Sequence, residues 1–299
     1  MEAVTDVVFR QVVAKAAPPD IYFSEFTNAT GWAAAGDKAI GGRLVKTDGE
    51  SPIVAQLWGT KPEAMALLAT HCATLGFDGI DINMGCPADH AVRSGGGAGL
   101  IRTPELAAEM IAAAKSSNLP VSVKTRLGYS RVDEWQEWLT HIFKQDIENL
   151  TIHLRTKKEM SKVPAHFELI AEIKALRDDI APNTQLTING DINDRAHAAE
   201  LIEKTGVDGA MIGRGVFLNP FAFEHEPTQH TRTELLDLLH YQLDLHDEWD
   251  TNQYPRKFDP LKRFFKIYVR DFEGAAELRD RLMHSRTTDE VREILSSVQ

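Results

Sequence analysis

The sequence predicts an α/β fold, namely a (β/α)8 barrel of parallel strands followed by a small C-terminal helical bundle. Short runs rich in β-branched and apolar residues alternate with amphipathic stretches that have apolar residues at helical spacing. Near-continuous apolar strands that alternate with helices are typical of a parallel sheet covered by helices. The strand pattern stops after Pro220, and from Thr231 onward the chain has only helical patterns and loops. Together these observations favour a barrel with a helical tail over an open sheet.

Seven segments have the composition of strands. They are residues 20–26, 52–58, 79–83, 120–127, 149–154, 184–190 and 209–214. Amphipathic stretches at 61–75, 103–114 and 195–204 predict helices between them. An eight-stranded barrel needs one more strand, which we expect to be the first, because the helix-like stretch 4–16 starts almost at Met1. We therefore expect a gap in the sheet between the first and last of the seven strands, with Met1 near the rim.

Two parts of the chain are predicted, a catalytic barrel over residues 1–228 and a helical domain over residues 229–299. The apolar share is 43% and no apolar run approaches the ~18 residues of a membrane span, so we expect a cytoplasmic protein without membrane contact. Two cysteines in 299 residues exclude a disulfide scaffold and a four-cysteine zinc site, and we predict no metal. No obligate protein partner is evident from the sequence.

The net charge of −11 argues against capture of nucleic acid by the chain as a whole. Residues 254–286 differ, because this segment contains nine Lys and Arg and only five Asp and Glu, which gives it a local charge of +4. With Phe264, Phe265 and Tyr268 interleaved, Lys262, Arg263 and Lys266 could contact an RNA backbone. An ordinary solvated helix face is the other interpretation of this segment.

Polar residues stand at the carboxyl ends of the predicted strands, where barrels of this kind carry their active sites. Such residues are costly to bury alone, so their coincidence predicts one polar pocket, although each could also be a satisfied structural group. The polar residues are Gln56, Asn83, Lys124, Arg126, His153, Arg155, Asn189, Asp191 and Arg214, and Gly190 and Gly213 stand beside the last three. The last two strand ends, 189–191 and 213–215, have the small residues and the guanidinium that a phosphate site uses, and glycine turns are their alternative explanation.

Cys86 follows a strand and precedes a proline, which places it in a loop at the barrel mouth. No His–Asp arrangement beside it indicates a nucleophile, and an unperturbed thiol is mostly protonated at neutral pH, so a proton-donor role suits it. The glycine-rich segment 95–99 lacks the spacing of a dinucleotide-binding fingerprint. We expect it to be a flexible loop, followed by a helix, beside the mouth.

Seven ordered motifs together resemble the tRNA-dihydrouridine synthase family. They are VTDVVFR near the start, DINMGCP at 81–87, GGGAG, VKTRLG at 123–128, LTIHLRT at 150–156, INGDI at 188–192 and MIGRG at 211–215. The resemblance covers the barrel and, more loosely, the helical tail. It implies reduction of the 5,6 double bond of uridine in tRNA, with FMN as cofactor and NADPH as hydride donor.

The resemblance also implies roles for individual residues. Cys86 matches the family's proton donor, and Asn83 falls where the family contacts the target base. The flavin contacts implied are Met1, Gln56, Lys124, His153, Asn189, Gly190 and Asp191, with Gly213 and Arg214 holding the phosphate. The further substrate contacts we predict are Arg126 and Arg155 at the mouth and Lys262, Arg263 and Lys266 in the tail.

The implied chemistry agrees with these residue types. Hydride from flavin N5 arrives at uracil C6, the enolate then takes a proton at C5, and a neutral thiol can give that proton. The base must leave its stack to reach the flavin, so base flipping is implied.

This chain departs from the family pattern at three places. Leu154 stands where the family usually has a small residue, and His166-Phe167 stands where an acidic-aromatic pair is expected. The family pattern Leu-Ala-Pro-Met precedes the V-T-D segment, and here Met1 is already that Met. We therefore expect that a chain extended upstream by about ten residues, enough for one barrel strand, would be more stable and hold FMN better.

Two other functions fit the sequence less completely. One is a flavin-dependent barrel that acts on a small pyrimidine or another metabolite, for which a basic tail is unnecessary. The other is an RNA-binding relative that has lost catalysis, which would not retain a flavin.

Overall fold

The computed structural model describes residues 4–40 and 42–297. Met1 lies outside these residues, so its expected place at the rim and its flavin contact stay predictions. In chain order the first half contains α1 (Val7–Ala16), β1 (Tyr22–Phe23), β2 (Thr27–Asn28), α2 (Ala29–Ala35), β3 (Ile53–Trp58), α3 (Pro62–Thr74), β4 (Gly79–Asn83), α4 (Asp89–Arg93), α5 (Pro104–Lys115), β5 (Val121–Arg126) and α6 (Trp135–Phe143). The second half contains β6 (Asn149–His153), α7 (Ile170–Ile180), β7 (Gln185–Asn189), α8 (Arg195–Thr205), β8 (Gly209–Met211), α9 (Arg232–Glu248), α10 (Phe265–Tyr268), α11 (Ala275–Met283) and α12 (Thr288–Ser296).

The strands form one parallel sheet in the order β1-β3-β4-β5-β6-β7-β8, with helices between successive strands, as in a TIM barrel. β2 also pairs with β3, so β1 and β2 occupy one position, and the sheet has seven positions. The ladder is interrupted between them because the backbone N–H of Gln56 donates to the hydroxyl of Ser24 at 3.0 Å. All seven predicted strands are thus confirmed, and the first is divided.

The expected gap in the sheet is present in the part of the chain that the structure describes. There β1 pairs with β3 alone along its length and β8 pairs with β7 alone, so the two do not meet. The last strand is also shorter than predicted, since β8 ends at Met211 rather than at Arg214.

Alternation along the strands separates two faces of the sheet. Successive residues of a strand point to opposite sides of the sheet. The side that the helices cover carries fully buried apolar side chains such as Ile80, Ile82, Leu150 and Ile152. The intervening positions carry polar side chains and face the barrel interior. Register places these polar side chains in layers, for example Gln56 beside Asp81 and Asp81 beside Ser122.

A second hydrophobic core lies in the helical tail, and α1 belongs to it. Phe9 of α1 packs against Phe217 and Phe264 with ring centroids 5.7 and 4.7 Å apart. Buried leucines of α9 and apolar residues of α10–α12 complete this core. The first helix therefore joins barrel and tail, while the boundary at residue 228 stays a prediction. No helix in residues 4–40 and 42–297 is both long and apolar enough to cross a bilayer.

Arg10 and Glu50 form a buried ion pair that ties α1 to the loop before β3. The guanidinium Nη2 and the carboxylate Oε2 are 3.0 Å apart, and the two side chains are 4% and 1% exposed. Arg10 also donates to the carbonyl oxygens of Thr5 and Val45 at 2.7 Å. Because removal of one partner leaves the other charge buried and unpaired, Arg10→Met should lower the free energy of unfolding by about 3–5 kcal/mol.

Urea unfolding followed by circular dichroism measures this loss. Arg131→Met is the control, since Arg131 pairs with Asp133 and both are more than two-thirds exposed. Equal unfolding midpoints for the two variants would contradict the prediction.

Candidate active site at the carboxyl ends of the strands

The predicted polar strand ends do meet at one end of the sheet. Gln56, Asn83, Lys124, His153 and Asn189 lie on adjacent strands, each on the interior face near the carboxyl end. Strand register places Asn83 beside Lys124 and His153 beside Asn189. All five side chains are buried or partly buried. The structure therefore brings together the core of the predicted pocket.

Gln56 and Asn83 are linked to each other and to the loop that carries Cys86. Asn83 Nδ2 donates to Gln56 Oε1 at 3.2 Å, and Asn83 Oδ1 accepts from the backbone N–H groups of Gly85 and Cys86 at 3.1 and 2.9 Å. Asn83, predicted to contact the base, thus also shapes the Cys86 loop. Gln56 Nε2 donates to Asp81 at 2.7 Å. Sequence reasoning missed Asp81 as part of the site, although its spacing of two from Asn83 indicates the same face.

Lys124 lies deep in the pocket and donates to Asn189 Oδ1 at 3.2 Å, while Asn189 Nδ2 donates to the carbonyl of Met211 at 2.8 Å. Burial, together with the nearby positive charge of Arg126, lowers the pKa of Lys124 to about 8. The ammonium is still mostly protonated at neutral pH. It therefore supplies a positive charge at the centre of the interior.

His153 is held neutral by its surroundings. Burial, reinforced by the charges of Arg126, Lys124, Arg155 and Arg214, lowers its pKa far below the ordinary value for histidine. Its Nε2 lies 3.4 Å from Arg155 Nη1, and its Nδ1 is buried without a protein hydrogen-bond partner. An orphaned ring nitrogen in a polar interior indicates that a bound ligand or water completes its hydrogen bonding.

Arg126 and Arg155, predicted as substrate contacts, are largely engaged by loops of the protein. Arg126 donates to the carbonyls of Gly85, Thr156 and Met160 at 2.8, 3.1 and 3.1 Å. Arg155, only 2% exposed, donates to the carbonyl of Val163 at 2.6 Å. Their contact with substrate stays a prediction, and their visible role is to order the loops around the mouth.

Asp191 connects the last two predicted flavin segments. Its Oδ2 accepts hydrogen bonds from Arg155 and from the backbone N–H of Ala165. Its Oδ1 lies 3.3 Å from Arg214 Nη2. Gly190 has φ = 117°, and a Cβ there would contact Ala165 at 3.3 Å and His153 at 3.6 Å. Only glycine fits this conformation easily, so the turn leaves space beside His153 that a side chain would fill.

Gly213 and Arg214, predicted to hold a phosphate, follow β8 at the rim. A Cβ on Gly213 would meet no atom closer than Asn189 Nδ2 at 3.9 Å, so the space above this turn is open. The Arg214 side chain is 63% exposed, within reach of a ligand that enters from solvent.

Cys86 is partly exposed at the mouth, as predicted. A negative charge on its sulfur would oppose the lowering, by burial, of the pKa of both Lys124 and Arg126. The second cysteine, Cys72, is fully buried on α3, and burial raises its pKa to about 12.

The glycine-rich segment supports Cys86 from behind, and the expectation of a flexible loop is wrong. Residues Gly97–Arg102 form a 3-10 helix that is buried except for Arg102, and Ala98 N donates to the carbonyl of Cys86 at 3.0 Å. A Cβ on Gly97 would come within 2.7 Å of that carbonyl, and a Cβ on Gly96 within 3.0 Å of the Trp58 ring. The glycines therefore allow close packing between these segments.

Trp58 and His90 line a cavity of about 390 Å³ beside this segment, which the sequence did not indicate. The two rings meet edge to face at 5.9 Å. Gly96 packs close to the Trp58 ring that lines this cavity.

The tail residues predicted to contact RNA also lie together. Lys262, Arg263 and Lys266 line a cavity of about 190 Å³ with Arg279 and Met283, and Lys262 lies 3.2 Å from Asp259. Of the interleaved aromatic residues, Phe265 also lines this cavity. Phe264, Phe265 and Tyr268 are only 5%, 1% and 0% exposed, because they fill the tail core, so the expectation that Phe264 and Tyr268 contribute to RNA contact is wrong.

Two of the departures from the family pattern lie near the site. Leu154 is fully buried and its N–H donates to the carbonyl of Asn189 at 3.0 Å. His166 bridges Glu159 and Glu168 at 3.0 and 2.8 Å. Although burial opposes it, hydrogen bonding to these two carboxylates raises the pKa of His166. This cluster fastens the loop that follows β6.

The arrangement fits a flavin mononucleotide. The interior offers an orphaned His153 nitrogen, space beside Gly190, and cations at Lys124 and Arg214, which suit an electron-rich ring and a phosphate.

Comparison with known proteins adds independent information. The family model described as "Dihydrouridine synthase (Dus)" matches residues 1–299. The protein named "Probable tRNA-dihydrouridine synthase 2" of Bacillus subtilis (strain 168) is 58% identical over 300 residues, which cover 100% of this chain and 92% of that protein. A "Probable tRNA-dihydrouridine synthase" of Staphylococcus epidermidis is 55% identical over 300 residues, with coverage of 100% and 92%, and one of Staphylococcus aureus (strain COL) is also 55% identical, with 100% and 91%.

A solved structure of histamine dehydrogenase from Rhizobium sp. 4-9 aligns with a TM-score of 0.51 and 10% identity. The alignment covers 74% of this chain and 42% of that chain. At this level of identity the likeness concerns the barrel fold alone.

The lowered pKa of His153 predicts a loss of stability in mild acid. The unfolded chain takes up a proton at this residue below about 6.5, whereas the folded protein does not, so acid favours unfolding. Between pH 6.5 and pH 5 this one group should lower the free energy of unfolding by up to about 2 kcal/mol, and above pH 6.5 its effect vanishes. His153→Gln should remove that part of the pH dependence.

Denaturant unfolding at pH 7.5 and pH 5 measures the difference. The same substitution at His284, whose side chain is 77% exposed, serves as the control. An unchanged pH dependence in His153→Gln would contradict the prediction.

Proposed function

Since the chain belongs to the dihydrouridine synthase family, we propose that it reduces specific uridines in tRNA to 5,6-dihydrouridine, with FMN as cofactor and NADPH as reductant. The observation that carries the proposal is the position of Cys86 at the mouth of a cationic polar pocket, on a loop fixed by Asn83 and by the 3-10 helix behind it. With tRNA as substrate, we expect the protein to work in the cytoplasm.

Different residues of this chain are proposed to contact different parts of FMN. FMN, when bound, supplies the hydride that reduces the C5–C6 bond of uridine. Gln56, Lys124 and His153 are the proposed contacts of its ring and ribityl chain, with Asn189, Gly190 and Asp191 beside them. Gly213 and Arg214 are the proposed phosphate contacts, because they lie at the open rim and Arg214 can form a charge-assisted hydrogen bond.

Cys86 holds the proton for uracil C5 at its sulfur, since it is the partly exposed thiol at the mouth. Lys124 places its positive charge where negative charge develops, and the buried interior strengthens that interaction. The same interior excludes a stacked base, so the target uridine must flip out of its helix to reach it.

The basic cavity of the tail favours tRNA over a small metabolite as substrate. Arg263 and Lys266 are exposed on the same concave surface as Lys262 and Arg279, in a chain whose net charge is −11. A small pyrimidine needs no such surface, whereas an RNA backbone is bound through it. We therefore propose residues 1–228 as the flavin-binding part and residues 229–299 as the tRNA-binding part.

Replacement of the thiol should separate the two half-reactions. Cys86→Ala should keep FMN and its reduction by NADPH, while dihydrouridine formation in tRNA slows by ~10²–10⁴-fold, because general acid catalysis contributes that much. Stopped-flow absorbance measures both steps. Cys72→Ala, which removes the buried thiol of α3, is the control.

Unchanged reoxidation of the reduced enzyme by tRNA in Cys86→Ala would exclude Cys86 as the proton donor. A wild-type protein that takes up no FMN on titration would exclude the proposed function as a whole.

Charge reversal in the tail should weaken tRNA binding. Arg263→Glu with Lys266→Glu should raise the dissociation constant of the tRNA complex and flatten its dependence on salt. With fewer phosphate contacts, binding releases fewer counterions from the RNA. Adding Lys262→Glu should increase both effects. The control reverses the charge of two exposed lysines of the barrel, Lys144 directly after α6 and Lys204 of α8.

Filter binding at several salt concentrations measures affinity and slope, and NADPH oxidation without tRNA should stay unchanged. Equal affinity and slope in the tail variant and the control would refute this role of the tail.

A further inference from the structure

Asp81 is a fully buried carboxylate to which the proposed function gives no role. It lies on β4, two residues before Asn83, with an exposed fraction of 0%. Its Oδ1 accepts from the Ser122 hydroxyl at 2.7 Å and its Oδ2 accepts from Gln56 Nε2 at 2.7 Å. Strand register places Gln56, Asp81 and Ser122 side by side on three neighbouring strands. Both carboxylate oxygens are therefore engaged inside the barrel.

From Asp81 a continuous chain of hydrogen bonds runs to the loop of the thiol. Gln56 Oε1 accepts from Asn83 Nδ2, and Asn83 Oδ1 accepts from the backbone N–H groups of Gly85 and Cys86. Backbone N–H groups can only donate, and the Asp81 oxygen that faces Gln56 accepts. Both ends thus impose the same direction, with each amide oxygen turned toward the Cys86 loop and each amide nitrogen turned toward Asp81.

This direction decides what the two amides can offer a ligand. Each NH₂ group uses one hydrogen within the chain and keeps a second. With the opposite direction, Gln56 would turn its oxygen to Asp81, two acceptors would face each other, and the buried carboxylate would lose a hydrogen bond.

We propose that Asp81 is a positioning residue that fixes the direction of this chain, so that Gln56 presents an N–H donor to the bound ligand and Cys86 keeps its place. The inference rests on the proposed function, because a flavin ring and a uracil ring both carry carbonyl oxygens that such donors recognise.

The role needs an oxygen at the Asp81 position that accepts from Gln56, and it does not need a negative charge. Burial raises the pKa of Asp81 despite its hydrogen bonds, and a protonated carboxyl can donate from Oδ1 to Ser122 while Oδ2 still accepts. In Asp81→Asn the new amide can likewise direct its oxygen to Gln56 and its nitrogen to the Ser122 hydroxyl. Asp81→Ala removes the acceptor altogether.

An exchange of side chains separates positioning from mere structural support. Asp81→Asn combined with Gln56→Glu keeps the net charge and allows a hydrogen bond between the two positions. Its direction is reversed, because the amide now donates to the carboxylate. Asn83 can still donate to the carboxylate at position 56, so the Cys86 loop keeps its bonds while the N–H donor at position 56 is lost.

The experiment measures two properties of each full-length protein. One is the FMN dissociation constant from fluorescence quenching. The other is the rate at which iodoacetamide alkylates Cys86 in the flavin-free protein, which does not depend on FMN affinity and is not obscured by the fully buried Cys72. Thr151→Val, a change of another fully buried polar residue of the interior, controls for general destabilisation.

We expect Asp81→Asn and Thr151→Val to stay within about threefold of the wild type in both measurements. Asp81→Ala should bind FMN about tenfold more weakly and be alkylated at least about threefold faster, since an unpaired Gln56 amide releases the chain. The exchange variant should keep the alkylation rate of the wild type and bind FMN at least about tenfold more weakly.

Wild-type FMN affinity in the exchange variant would overturn the proposal, and so would wild-type values in Asp81→Ala. If Asp81→Ala does not fold, the exchange variant and Asp81→Asn still decide. A wild type without FMN affinity would refute the proposed function, whereas the alkylation rates would still test whether Asp81 positions Cys86.

Discussion

The site depends on how positive charge is held inside the barrel. Burial lowers the pKa of His153, and the charges of Arg126, Lys124, Arg155 and Arg214 around it lower that pKa further. Buried cations of this kind are stable only when carboxylates and carbonyl oxygens satisfy them. Asp191 forms ion pairs with the guanidinium groups of Arg155 and Arg214. Arg126 and Arg155 also donate to backbone carbonyls of the surrounding loops. The same contacts that satisfy the cations therefore fix the loops that shape the mouth.

The fold could be predicted because its strands are short, apolar and bounded by turns. All seven strands were found from composition, and polar residues at their ends identified the pocket, since parallel strands bring their carboxyl ends to one edge. The division of the first strand could not be predicted, because it arises when the Ser24 hydroxyl replaces a backbone acceptor for Gln56. Such a replacement depends on the register of two strands, which the sequence does not state.

The wrong predictions for the tail aromatic residues and for the glycine-rich segment 95–99 have a common physical cause. Phe264 and Phe265 lie next to exposed cations in the sequence, yet Phe264 at the end of a 3-10 helix and Phe265 and Tyr268 of the short helix α10 are all buried in the tail core. The glycines of 95–99 resemble a mobile loop by composition, but their missing side chains allow backbone and ring to pack closely around Cys86. In both places tertiary packing decides what a local pattern means. Asp81 was overlooked for a related reason, because its partners Gln56 and Ser122 become neighbours only when strands pair.

The cations of the barrel are mostly buried, whereas those of the tail are exposed. We therefore expect ligand binding in the barrel to depend on pH and tRNA binding by the tail to depend on salt. Cations of the interior are bonded to the protein and mostly buried, so salt screens them weakly, while the charge of Lys124, whose pKa burial lowers to about 8, changes with pH. Arg263 and Lys266 lie exposed on a concave surface, where mobile ions compete directly with an RNA backbone. Salt should therefore act chiefly on the capture of tRNA through the tail, and pH on the ligand held in the barrel. The net charge of −11 on the whole chain sharpens this division, because residues 254–286, with a local charge of +4, form a region that attracts a polyanion.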